Sequence, residues 1–87
     1  MYARYMAEFF GTLVFVLAIS MTARPLIIAA TFLAVILLAG PVSGGHINPA
    51  VTLAMVFKGD LPVSDAAPYI IAQIVGGLAG VQIAKML

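Results

Sequence analysis

The residues best suited to chemistry lie together near the middle of the chain, around the dipeptide Asn48-Pro49. Asn is a favoured N-cap and Pro is favoured at the first helical position, so this pair predicts the start of a helix. Lys58-Gly59 predicts its end, with a cation in the last turn and Gly after it. The predicted helix at 49–58 has ten residues, which gives about 15 Å, or half the thickness of a bilayer core.

A helix of this length would place its N-terminus near the membrane midplane, where unpaired N–H groups and the helix dipole carry about half a positive charge. The Asn48 amide adds two hydrogen-bond donors at that point, so cations would be repelled and neutral polar solutes would be bound. Matching acceptors would come from the carbonyl groups of Gly44, Gly45, His46 and Ile47. The alternative is that Asn48 only caps a re-entrant helix.

Other chemistries find little support in the composition. The chain contains one His, three acidic residues and no Cys, and its net charge is +1. Glu8, Asp60 and Asp65 form no acid/base pair with the single His, and the sequence contains neither a phosphate-binding loop nor a metal-ligand spacing. A net charge of +1 provides no basic surface for binding nucleic acid. We therefore predict no enzyme activity, no cofactor, no metal site and no nucleic-acid partner.

The elements that must position the central segment are membrane helices. Hydrophobic residues make up 64% of the chain and charged residues 8%, and the mean hydropathy is +1.21. A chain this short cannot hide so much apolar surface in its own core. We predict one domain over 1–87, an all-α, multi-pass integral membrane protein with three transmembrane helices and one re-entrant half-helix. The predicted segments are spans at about 5–22, 25–40 and 66–86, a re-entrant loop at 41–48 and the half-helix at 49–58.

Local signals add detail to the first and third spans. A secretory signal peptide is the alternative for the first span, but Glu8 would then lie inside its apolar region. Ser64 or Asp65 is the expected N-cap of the third span. Small residues recur every fourth position along that span, at Ala72, Gly76, Gly80 and Ala84. This spacing lets helix backbones approach closely, although ordinary transmembrane use of Gly is the alternative at any single position.

Three segments in order resemble one family. Residues 43–52, which include the triplet Asn48-Pro49-Ala50, look like the first NPA box of the aquaporins and aquaglyceroporins, the major intrinsic protein family. Residues 7–12 are similar to the start of the family's first helix, and residues 69–77 to its third. The resemblance covers nearly the whole chain but only the first half of a family member. It implies half of an inverted-repeat bundle whose NPA triplet lines a pore.

The resemblance also implies roles for polar residues outside the triplet. It implies that the Glu8 carboxylate accepts hydrogen bonds from the backbone of the re-entrant loop, and Thr12, four residues on, shares its helix face. It places the ring of His46 at the border of the pore, with a packed, neutral His as the alternative. We expect Gln73 to tether the loop or a neighbouring helix, or else to make a polar contact between subunits.

The selectivity filter departs from the family pattern. Family members carry an Arg directly after the second NPA triplet, whereas this chain has Val51 after its triplet. Counting back from Asn48 without gaps, Ile28 and Ile36 match two filter positions and Gly45 a third. Each mouth of a symmetric pore would be lined by Ile28 of one chain and by Ile36, Gly45 and Val51 of the other. Such a filter lacks a fixed cation, so glycerol and ammonia are expected solutes besides water.

A pore requires more than one half of this kind, because three spans and one half-helix cannot enclose a hole. Arg4 and Lys58 fall on one predicted face, and Arg24 and Lys85 fall on the other. Without a Lys/Arg bias, identical chains can insert in both orientations and meet as an antiparallel homodimer. Four such dimers would match the family's tetramers. The alternative is a non-conducting truncated membrane protein, or a subunit that needs a different partner chain.

This charge balance generates a first prediction. A reporter fused to the C-terminus of the chain should appear on both faces of the membrane in comparable amounts. Two Lys residues added beside Arg4 should fix one orientation and abolish conduction, because the Lys/Arg count would then favour one face. A single orientation of the unmodified chain would eliminate the homodimeric pore.

Overall fold

The computed structural model describes residues 2–87. Within that range the chain forms helices α1 (Ala3–Met21), α2 (Pro25–Ser43), α3 (Pro49–Lys58) and α4 (Ala66–Met86), and a 3-10 turn at Val63–Asp65 leads into α4. The segments Ala3–Met21, Pro25–Ser43 and Val63–Met86 are long and apolar enough to cross a membrane. The fold is therefore an all-α bundle of three membrane-spanning helices and one short helix.

The short helix α3 is bounded by local signals at both ends. The side-chain oxygen of Asn48 accepts a hydrogen bond from the Ala50 N–H at 2.7 Å, and Pro49 occupies the first position of the helix. At the other end Gly59 takes the left-handed conformation, with φ 94°. Its N–H reaches the carbonyl groups of Met55 and Val56 at 3.1 Å. Both ends thus satisfy backbone groups that a helix terminus leaves unpaired.

The second helix is longer than the span expected from the sequence. Gly40 and Pro41 suggested an end near residue 40, but α2 continues through Pro41 to Ser43. A Pro in the last turn removes only one helical hydrogen bond, and membrane helices tolerate that loss. Gly44, with φ 90°, ends the helix, and its N–H bonds to the Gly40 carbonyl at 2.9 Å. The irregular loop is therefore 44–48 rather than 41–48.

Helix α1 lies between α2 and α4, and the α1/α4 contact is made by backbone. A Cβ atom placed on Gly80 would lie 2.6 Å from the carbonyl oxygen of Leu13, and one placed on Gly76 would overlap the carbonyl group of Phe9. The close neighbour expected from the small-residue spacing is therefore α1 of the same chain. Gly77, one residue away, has ordinary space, because its added Cβ would lie 3.6 Å from the side chain of Val16.

The interior is more polar than the surface. Among the described residues, the buried hydrophobic side chains are Val35, Ala39, Ile47 and Tyr69, whereas the buried polar ones are Glu8, Thr12, Ser43, His46, Thr52, Asp65 and Gln73. Large apolar side chains point outward, as Phe57, 96% exposed, illustrates. This distribution suits a chain whose outer faces meet lipid or another membrane helix.

The glycine contact between α1 and α4 generates the second prediction. Gly76→Ala should lower the free energy of unfolding in detergent or bilayer by about 1–3 kcal/mol, because the new methyl group forces the two backbones apart. Gly77→Ala is the matched control, since the same atom is added one residue away at ordinary van der Waals distance from its neighbours, and its effect should stay within about 0.5 kcal/mol. Equal stability of the two variants in a denaturant titration would contradict the close approach.

Candidate functional site

The buried carboxylate of Glu8 organises the loop between α2 and α3. Glu8 is 0% exposed. Its Oε2 atom accepts hydrogen bonds from the Ser43 hydroxyl at 2.7 Å and the His46 N–H at 3.0 Å. Its Oε1 atom accepts from the Ile47 N–H at 2.8 Å and from Gln73 Nε2 at 2.8 Å. Four donors match the acceptor capacity of a carboxylate, so α1 supplies the anchor to which the loop and α4 are both tied.

The loop holds an unusual backbone conformation. Gly44 and Gly45 have positive φ angles of 90° and 64°, which suit residues without a Cβ. Ile47 also has a positive φ, 59°, which costs a β-branched residue about 1–3 kcal/mol. The hydrogen bond from its N–H to Glu8 and the burial of its side chain beside Gly11 hold it there.

A second set of hydrogen bonds joins the loop to α3 and α4. Gln73 Nε2, besides its bond to Glu8, lies 2.8 Å from Thr52 Oγ1, and Thr52 Oγ1 lies 2.9 Å from His46 Nδ1. The ring of His46 packs against Tyr69, with centroids 5.1 Å apart, and the Tyr69 hydroxyl donates to the Ser43 carbonyl at 2.8 Å. The orientations of the His46 ring and of α3 are therefore fixed by α4.

The tip of α3 presents free donors beside free acceptors. Asn48 is exposed, and its Oδ1 atom is the one used for capping, which leaves the two N–H bonds of its amide pointing away from the helix start. Among residues 2–87, no group donates a hydrogen bond to the carbonyl oxygens of Gly44, Gly45, His46 or Ile47. A polar molecule at this place can exchange its hydration for these groups.

Two clefts meet at the loop. One, of about 680 Å³, is bounded by α3 and by the starts of α1 and α4, and its walls include Arg4, Gly44, His46, Val51 and Tyr69. The other, of about 450 Å³, lies on the far side of the α3 tip, and its walls include Thr12, Asn48, Pro49, Gln73 and Gly77.

Two residues that line the second cleft carry buried polar atoms that lack partners. Thr12 Oγ1 and Gln73 Oε1 form no hydrogen bond within the described part of the chain. Both oxygens are covered by the chain itself, so they lie behind the cleft wall and not on its surface.

The four residues predicted for the filter fall into two groups. Ile36 lies beside Gly45, where an added Cβ would be 3.6 Å from the Ile36 Cα, and Val51 faces the larger cleft together with Gly44. Ile28 lies two turns earlier in α2, about 12 Å along the helix axis. The fold thus places Ile36 against Gly45, puts Val51 in the wall of the larger cleft, and leaves Ile28 two turns away in α2.

Asp65 differs from its expected role as a helix cap. Its carboxylate makes no capping bond to α4. It accepts hydrogen bonds instead from the Tyr5 hydroxyl at 2.5 Å and from Arg4 at 3.1 Å. This cluster ties the starts of α1 and α4 together at the edge of the larger cleft.

Three residues of the network were missed by the sequence-based prediction, namely Ser43, Thr52 and Tyr69. The signal was present, because each places a polar atom within or beside an apolar run, where such atoms are expensive unless they are paired. Their partners depend on helix packing, which the local sequence does not specify.

Comparison with known proteins gives concordant matches. The family model described as "Major intrinsic protein" matches residues 1–87. Aquaporin-5 of Sus scrofa is 48% identical over 86 residues, covering 85% of this chain and 32% of that protein. Glycerol uptake facilitator protein-like 6 of Lactiplantibacillus plantarum is 41% identical over 86 residues, covering 86% and 39%. Aquaglyceroporin AqpS of Rhizobium meliloti is 36% identical over 70 residues, covering 80% and 30%. The chain spans roughly a third of the length of these relatives.

The third prediction concerns the anchor of the loop. Glu8→Gln should release the loop, because an amide nitrogen facing several donors cannot accept their hydrogen bonds and each lost bond to a charged group is worth about 1.5–3 kcal/mol. Amide hydrogen exchange at His46 and Ile47 should rise roughly tenfold or more. Asp60→Asn makes the same chemical change at an exposed carboxylate and serves as the control. Unchanged protection in the Glu8 variant would show that the loop is held by other contacts.

Proposed function

This chain belongs to the major intrinsic protein family, and from that premise we propose that it forms one half of a passive membrane channel for water and small neutral solutes. It is an integral, multi-pass membrane protein. Members of this family are transporters, and we propose no catalytic reaction for this chain. The observation that carries the proposal is the exposed Asn48 amide next to a row of unpaired carbonyl groups, held in place by the buried Glu8.

The proposed transport step exchanges hydration for fixed polar groups. A water or alcohol oxygen accepts a hydrogen bond from the Asn48 amide, while its hydroxyl hydrogens go to the carbonyl groups of 44–47. The α3 N-terminus carries a partial positive charge at the same place, which opposes the passage of cations and protons. Neutral polar solutes pass because the hydrogen bonds to these fixed groups replace most of the free energy of hydration that they lose.

We propose that the second half of the pore is an antiparallel copy of the same chain. Support comes from the smaller cleft, where the exposed Asn48 at the start of α3 lies among mostly apolar walls. Further support comes from the equal division of Lys and Arg between the two ends of the bundle, which permits both orientations. In the dimer the two α3 tips would meet at the midplane, and four dimers could associate. A different partner chain, or a longer polypeptide that carries both halves, would also cover the smaller cleft.

We propose Ile36, Gly45 and Val51 as the lining of each mouth, with Ile28 contributed by the opposite copy. Apolar walls can contact the carbon atoms of glycerol, and these residues carry no charge that would exclude it. Glycerol, and ammonia by the same reasoning, would therefore pass along with water.

Asn48→Asp tests the midplane. A carboxylate would cancel the positive end of α3 and remove both amide donors. We expect reconstituted vesicles that contain only this chain to swell under an osmotic gradient, and the Asn48 variant to admit cations that the unmodified chain rejects. Vesicles that do not swell would favour the non-conducting alternative. Normal swelling with unaltered ion exclusion in the variant would show that the pore does not pass Asn48.

Val51→Arg tests the mouth. The new cation adds donors while narrowing the opening, so glycerol flux should fall more than water flux in the same vesicles. Val51→Met is the matched control, because it adds a side chain of similar reach without the charge. An unmodified chain that passes water but rejects glycerol would contradict the assignment of these residues to the mouth.

A further inference from the structure

The hydrogen bonds that run from Glu8 to His46 have a fixed direction. The three links are Glu8 Oε1 to Gln73 Nε2 at 2.8 Å, Gln73 Nε2 to Thr52 Oγ1 at 2.8 Å, and Thr52 Oγ1 to His46 Nδ1 at 2.9 Å. Glu8 and Thr52 are 0% exposed and Gln73 is 2% exposed, so no solvent replaces these contacts. The chemistry of each group then decides which atom holds each hydrogen.

The direction starts at the carboxylate. Glu8 takes donors on both oxygens, so the amide of Gln73 must turn its nitrogen toward it. That nitrogen carries two hydrogens, and the second one points at Thr52 Oγ1. Thr52 Oγ1 is thus an acceptor from Gln73, and its own hydrogen has to go elsewhere.

The hydrogen of the Thr52 hydroxyl has one acceptor within reach. Among the described residues, the groups in hydrogen-bonding geometry with Thr52 Oγ1 are Gln73 Nε2, a donor, and His46 Nδ1. If His46 Nδ1 carried a proton, the hydrogen of the fully buried Thr52 hydroxyl would have no acceptor, which costs free energy. A bare Nδ1 atom gives the Thr52 hydroxyl hydrogen an acceptor.

We infer that Glu8, acting through Gln73 and Thr52, holds His46 as the neutral tautomer with its proton on Nε2, and that this N–H is a fixed hydrogen-bond donor for a water or alcohol oxygen in the larger cleft. His46 lines that cleft, and its Nε2 atom is not among the buried unpaired atoms of the described chain. The tautomer rests on the hydrogen bonds alone, whereas the assignment of a transported oxygen as its acceptor rests on the proposed function.

This donor changes the chemistry expected at the mouth. Ile36, Gly45 and Val51 offer no side-chain donor, whereas His46 Nε2–H adds one to a cleft wall that also includes Arg4. Gln73 and Thr52 are positioning residues in this scheme, because they act on the solute only through the His46 ring.

The single histidine in the sequence makes the tautomer directly measurable. The full chain, labelled with ¹⁵N-histidine and reconstituted in lipid bilayers, should give one ring whose Nε2 carries the hydrogen in a ¹⁵N–¹H correlation spectrum. Transfer of magnetisation from water to that hydrogen should be seen as well. A ring protonated on Nδ1 would overturn the inference, and an Nε2–H without contact to water would overturn its role as a donor in the cleft.

Three variants test the relay itself. Thr52→Val removes the hydroxyl while keeping the shape, so the Nε2–H preference should fall to a mixture of both tautomers. Thr52→Ser keeps the hydroxyl and should keep the preference. In Gln73→Glu, two adjacent carboxyl groups share a proton. The new side chain then donates to Glu8 and accepts from Thr52, so Thr52 becomes the acceptor for His46 and the proton should move to Nδ1.

An unchanged tautomer in both Thr52→Val and Gln73→Glu would overturn the relay. The NMR readout does not depend on conduction, so its failure is distinguishable from failure of the channel. A chain with the Nε2 tautomer but no osmotic swelling would retain the relay and lose the proposed function. Osmotic swelling by a chain whose His46 ring is protonated on Nδ1 would retain the proposed function and overturn the relay.

Discussion

A carboxylate enclosed by helices in a membrane has to find its hydrogen-bond donors within the protein, and the loop amides of an irregular segment have to find acceptors in the same way. Glu8 and the loop 44–48 solve both problems with one set of contacts. The positive φ of Ile47 is sustained by this pairing, and so is the turn that starts α3 at Asn48. The position of the polar tip therefore depends on a residue in the first helix.

The packing of α2 and α4 on α1 brings the donors Ser43 and Gln73 to the same depth in the membrane as their acceptor, Glu8. Helix α4 can supply Gln73 to Glu8 because Gly76 and Gly80 let its backbone lie directly on α1. Helix α2 ends at Ser43, whose hydroxyl reaches Glu8 and whose carbonyl is held by Tyr69. The outer faces carry the apolar side chains, so the chain is built around a polar centre with hydrophobic walls. In that arrangement the oxygen of the Asn48 amide caps α3, and its N–H groups remain exposed.

The parts that could be predicted from the sequence are those governed by local rules. Asn48-Pro49 and Lys58-Gly59 define the ends of α3 through capping and backbone preference, and gaps between charges define the long helices. Gly40 and Pro41 misled the prediction of the α2 end because membrane helices tolerate Pro in their last turn. Ser64 or Asp65 was expected to cap α4, but the Asp65 carboxylate is bound instead by Arg4 and Tyr5, about sixty residues away. The places of Ser43, Thr52 and Tyr69 in the network depend on the packing of α4 against α1 and so required the structure.

The order in which a ribosome releases the chain gives the α3/α4 contact a consequence for biogenesis. Helix α1, with Glu8, precedes the loop, so the acceptor for the loop amides is already in the membrane when residues 46 and 47 emerge. The packing partner of α3 and the amide that fixes Thr52 come later, in α4. A nascent chain halted before Gln73 has an anchored loop but an unsecured short helix and an unoriented His46. The half-helix therefore gains its packing partner only when α4 has followed it into the membrane.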